Sequence, residues 1–149
     1  MNKYRNTFLN SMALIFGFSV ISLTHADIGQ LNTIYHHPQS APKLQRCKGN
    51  PQCNAFYALA KQWQSIPNNF KLDGINVKSY AKAGDGYGLW KGFSLNSDRA
   101  IALAEAGDAA FFNGGSHSKA DERIYAQGLA VLLYLDHQPQ RTTSSATSK

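Results

Sequence analysis

The stretch Ser118-Lys119-Ala120-Asp121-Glu122-Arg123-Ile124-Tyr125-Ala126-Gln127-Gly128-Leu129-Ala130-Val131-Leu132-Leu133-Tyr134-Leu135 reads as an amphipathic helix. Ile124, Gly128, Val131, Leu132 and Leu135 recur at helical spacing and mark a buried stripe, with Tyr125 and Leu129 beside it. Ser118 is a good N-cap, and Asp121 three residues on resembles a capping box with Asp in place of Glu or Gln. Asp121 and Glu122 also suit the positive end of the helix dipole, and His137 suits its other end. Gly128 in mid-helix costs about 1 kcal/mol relative to Ala. Its presence there predicts close approach of a neighbouring element.

Two further helices are expected upstream, making three in all. One starts at Ser97, with Asp98 early in its first turn and Ile101, Leu103 and Ala104 facing inward. Gly107 weakens it, Asp108 starts a second short piece reaching Phe111 and Phe112, and Asn113-Gly114-Gly115 stops it. The other begins at Asn50 or Pro51 and runs to about residue 65. Pro51 suits a first helical turn, where the missing N–H costs nothing. Cys53, Phe56, Tyr57, Ala60 and Trp63 form its buried face, and Pro67 ends it.

Between these two helices the hydrophobic period drops towards 2. Phe70 and Leu72 alternate with Lys71 and Asp73, Asp73-Gly74 is a turn signal, and Ile75 and Val77 alternate again. A second turn falls at Gly84-Asp85-Gly86, followed by Tyr87, Leu89 and Phe93. The expectation is a mainly helical α+β domain with a small antiparallel hairpin or meander between the first two helices. The alternative is an all-α fold with an irregular Gly-rich loop.

The rest of the chain bounds this domain. The sequence has 149 residues, with 15 Lys and Arg against 9 Asp and Glu. Residues 1–26 have the layout of a cleavable secretory signal: Lys3 and Arg5, an uncharged apolar run, then Thr24-His25-Ala26 before Asp27. Cleavage there leaves thirteen basic residues against nine acids and no segment that spans a membrane. Pro38 and Pro42 argue against a helix through residues 27–43, which reads as an extended arm laid on the body by Ile28, Leu31, Ile34 and Tyr35. Residues 44–137 form one small domain, and residues 138–149 a disordered polar tail. In an oxidising compartment, Cys47 and Cys53 pair most simply as a local disulfide across Gly49, Asn50 and Pro51.

No motif of high specificity points to a reaction or a cofactor. There is no Gly-Lys-Ser/Thr of a phosphate-binding loop and no dinucleotide fingerprint. Two cysteines without a nearby His do not make a zinc site. His36 and His37 point apart in an extended chain, so no metal site is expected. No cluster of basic residues with interleaved aromatics marks a nucleic-acid groove. Asp121 and Glu122 diverge on a helix and do not suit a two-carboxylate hydrolase.

Residues 84–93 are the part that looks most suited to binding: four glycines, three aromatics, one acid and one base in ten residues. Asp85, Tyr87, Trp90, Lys91 and Phe93 are the candidate binding residues, because large rigid aromatics dominate interface energetics. His117, between Ser116 and Ser118, is a candidate base for a hydroxyl nucleophile, with Asp85 as its acid. The reading that follows is an exported protein that binds another protein, of the inhibitor or immunity type. The alternative is a small secreted hydrolase acting on a cell-wall or other polymeric substrate. A third reading is an envelope protein that meets anionic lipid or glycan through its basic surface.

Overall fold

The computed structural model describes residues 19–138, with side chains from Ile28 on. The candidate signal up to residue 18 and the tail from residue 139 lie outside the described residues. The described residues contain six α-helices: α1 Ser19–His36, α2 Pro51–Lys61, α3 Val77–Ala83, α4 Gly86–Gly92, α5 Asp98–Gly107 and α6 Lys119–Asp136. Strands β1 Lys71–Leu72 and β2 Ile75–Asn76 pair antiparallel, with Lys71 opposite Asn76 and Leu72 opposite Ile75. Asp73 and Gly74 both take positive φ, as a two-residue hairpin turn requires. The domain is therefore mainly helical with a small hairpin, and three helices understate it. None of the helices in the described residues is long and apolar enough to cross a membrane.

The centre of the fold is α6, on which α2, α3, α4 and α5 all pack, while α1 lies on α2. Ser118 caps α6 by accepting the Asp121 N–H at 3.1 Å. Nine of its residues from Tyr125 to Leu135 are buried, because almost every side of the helix meets a neighbour. Gly128 has the predicted close approach. A Cβ there would lie 2.2 Å from Cζ of Phe56, and one at Gly107 of α5 would lie 2.6 Å from the same ring. Phe56 of α2, with no exposed surface, thus fills a slot between two helical glycines.

The two ends of α2 follow the sequence. Asn50 is its N-cap, accepting the Cys53 N–H at 3.0 Å, and Pro51 opens the first turn. The helix passes at Gln62 into a single 3₁₀ turn, Trp63–Ser65, before Pro67. Cys47 and Cys53 form a disulfide with their Cα atoms 5.5 Å apart. The bridge ties the loop before α2 to its first turn. Arg46 next to it grips α6, donating from Nη1 to Asp121 Oδ1 at 3.0 Å and from Nη2 to Oδ2 and to the carbonyl of Ala110.

Several expectations need correction. Residues 27–36 of the supposed extended arm are helical, the last part of α1, and only beyond it does the chain open through the 3₁₀ turn Pro38–Ser40. Leu31, Ile34 and Tyr35 do lie on the body, but at i, i+3 and i+4, while Ile28 is exposed. Val77 opens α3 and does not continue a strand, because Asn76 accepts the Ser79 N–H at 3.1 Å and starts a helix. Residues 86–92 are neither strand nor irregular loop but α4. The turn at residues 84–86 is real, but it joins two helices. Gly84 ends α3 at φ 73°, and Asp85 begins α4. In α5, Ser97 is the N-cap and Leu103 is buried as expected, whereas Ile101 faces outward.

The short disulfide loop stabilises mainly by restricting the unfolded chain, by about 2 kcal/mol for a ring of this size. Reduction, or Cys47→Ser with Cys53→Ser, should lower the unfolding free energy by that amount, seen as a lower urea midpoint, without changing the helical circular dichroism. An unchanged midpoint would contradict the pairing.

A candidate binding face on α4

α4 is only seven residues long, so its position depends on its surroundings. Asp85 caps it, accepting the Gly88 N–H at 2.8 Å. Glu122, in the first turn of α6, accepts the Tyr87 N–H on Oε2 at 3.2 Å. Gly86 sits so close to α6 that a Cβ would lie 2.8 Å from the Tyr125 ring and 3.2 Å from the Glu122 carbonyl. Leu89 anchors the helix in the core with 1% exposure. The inner side of α4 is thus fixed by one carboxylate, one close contact and one buried leucine.

The outer side carries Tyr87 and Trp90, 50% and 54% exposed. Their ring centroids lie 5.8 Å apart, and the Lys91 ammonium stands 5.4 Å from the Tyr87 ring. Trp90 also leans on Phe112 at 6.4 Å. Phe112 is sandwiched between Tyr125 at 4.5 Å and His117 at 4.4 Å, both stacked. A continuous aromatic array therefore runs from the exposed α4 face into the core. Phe93 belongs elsewhere: it meets Tyr80 edge-on at 5.8 Å and lines a groove beside Trp90.

His117 lies next to this array, paired not with Asp85 but with Glu122. Its Nε2 is 3.1 Å from Glu122 Oε1, and its Nδ1 is 3.1 Å from the carbonyl oxygen of Phe112. Both ring nitrogens are engaged, one by the Phe112 carbonyl and the other by Glu122. Ser118 is committed as the α6 N-cap. The two candidate catalytic residues thus have separate structural partners, Asp85 at the start of α4 and His117 at the start of α6. Among the described residues, no group of three His, Cys, Asp or Glu side chains could hold a metal ion.

Glu122 and Phe112 are the members of this site that sequence reasoning missed. Glu122 looks like an ordinary first-turn acid, and its reach to Tyr87 is a long-range contact. One local signal was available. His117 and Glu122 occupy the positions just before the N-cap and four residues into the helix, where an apolar pair often forms a staple. Here the staple is polar. Comparison with protein-family models, curated proteins and solved structures finds no match to this chain.

Burial would raise the Glu122 pKa, but the hydrogen bonds from His117 and the Tyr87 N–H, with the charges of His117 and Lys119, outweigh it and hold the carboxyl below its ordinary value. A carboxylate lowered on folding contributes stability above its unfolded pKa of about 4.3, and loses that contribution as pH falls through the lower folded value. The gap in unfolding free energy between wild type and Glu122→Gln should therefore narrow as pH falls through this acid range. Urea titrations at several pH values measure it, and a gap independent of pH would contradict the assignment.

Proposed function

We propose that this chain is an exported binding protein that recognises another protein through the outer face of α4, as an inhibitor or immunity factor would. The observation that carries the reading is the half-exposure of Tyr87 and Trp90, side by side on a helix whose inner side is fixed to α6. Water-exposed aromatics of this size are costly to leave uncovered, and paired aromatics with a neighbouring cation are typical interface anchors. Fixing the helix in advance lowers the ordering cost of binding. The signal-like N-terminus supports export, and the Cys47–Cys53 bridge is compatible with an oxidising compartment.

The test is affinity capture of the tagged full-length chain, exported in its own host, with quantitative mass spectrometry of what stays bound. Wild type should retain one protein at a stoichiometric level. The double variant Tyr87→Ala, Trp90→Ala should retain it at least tenfold less, roughly the loss of one hot-spot residue, with its circular dichroism unchanged. Equal retention by both, or no retained protein, would overturn the reading.

A further inference from the structure

Beside the α4 face lies a groove of about 250 Å³ between α4, the residues after it, α5 and α6. Leu89, Leu129 and Leu133 form its apolar floor, all nearly buried, while Trp90 and Ile101 stand exposed among its walls. Among the described residues, its only charged lining groups are two carboxylates, Glu105 and Asp108. Ile101, Glu105 and Asp108 are spaced i, i+4 and i+7 along α5 and the turn that follows it, which puts them on one stripe.

The polar groups of the groove are short of partners. The Glu105 side chain has none among the described residues, and Asp108 accepts one N–H, from Gly114, at 3.1 Å. Tyr125 lines the groove at 2% exposure, and its hydroxyl has no hydrogen-bond partner among the described residues. Burial, and then the Asp108 charge, push the Tyr125 pKa up. In a chain whose net charge is +6, a groove lined with carboxylates alone stands out.

A ligand for this groove needs an apolar stem, donors without acceptors, a positive charge and a flat surface to lie on an indole. Arginine has all four. Its guanidinium stacks on aromatic faces and pairs with carboxylates in a planar fork, whereas lysine offers a point charge. We propose that this groove receives an arginine side chain of the partner protein. The stem lies on the leucine floor beside Trp90, and the guanidinium meets Glu105 and Asp108. The proposal rests on the binding reading above and names the chemistry that its partner brings.

The probe is a phage-displayed library of random dodecapeptides, selected on the immobilised full-length chain. Enriched peptides should carry arginine beside an apolar residue. Their affinity should fall about tenfold in Glu105→Gln, the loss of one charge-assisted contact. It should also fall on raising the salt, because the pairing is partly exposed. Enriched peptides without arginine, affinities unchanged in Glu105→Gln, or no enrichment at all would overturn the proposal. The same variant in the capture experiment separates the two readings. A partner lost with Tyr87→Ala, Trp90→Ala but kept by Glu105→Gln contradicts the arginine groove and leaves the α4 face standing.

Discussion

The ring of Phe56 sits in a slot between two glycines that leaves no room for a Cβ on either of them. Gly107 lies over one part of it and Gly128 over its tip, each so close that a single methyl group would overlap it. Phe111 and Tyr125 add their rings at 6.2 and 6.0 Å. Gly128 in mid-helix, and Gly107 where α5 runs on into the π-helical turn Asp108–Phe112, each cost about 1 kcal/mol relative to alanine. Full burial of the phenylalanine returns about 2–3 kcal/mol. The two effects nearly cancel in energy, but the geometry they leave is specific. Helices α2, α5 and α6 approach to within one aromatic ring, and the register of each against the others is set by that ring.

The candidate site inherits its position from this contact. Tyr125 lies three residues before Gly128 on α6, one helical turn away, and stacks on Phe112, which carries His117 on its other face. Glu122 lies one turn earlier, where it reaches both His117 and the Tyr87 amide. Asp121 beside it holds Arg46 and through it the disulfide loop. One turn of α6 thus locks the base of α4 on one side and the start of α2 on the other. Tyr87 and Trp90 are left outside because the inner side of their helix is already occupied by Leu89 and the close contact at Gly86.

The sequence was legible where a helix is long enough to show its period. The starts of α6 and α5 are legible with their caps, because Ser118 and Ser97 precede clear apolar stripes, whereas the start of α2 is legible from Pro51 in its first turn and not from its cap, Asn50. The demand made by Gly128 was legible too, although nothing in the sequence pointed to Phe56 as the neighbour. The two seven-residue helices were not. Two turns give too few apolar positions to tell a period of 3.6 from one of 2, and their caps, Asn76 and Asp85, are also common turn residues. Tyr87, Trp90 and Lys91 stand out in the sequence by composition, and the structure brings them together on α4. Glu122 and the Glu105–Asp108 groove were hidden, because each depends on contacts between elements far apart in the chain.

The most direct test of this account is a double-mutant cycle on Phe56 and Gly128, read by urea unfolding. Gly128→Ala alone should destabilise by about 2 kcal/mol, overpacking outweighing the better helix propensity. In a Phe56→Leu background the same change should cost less by about 1 kcal/mol or more, because the ring tip that the methyl would strike is gone. Additive effects of the two substitutions would contradict the claim that this single close contact sets the frame.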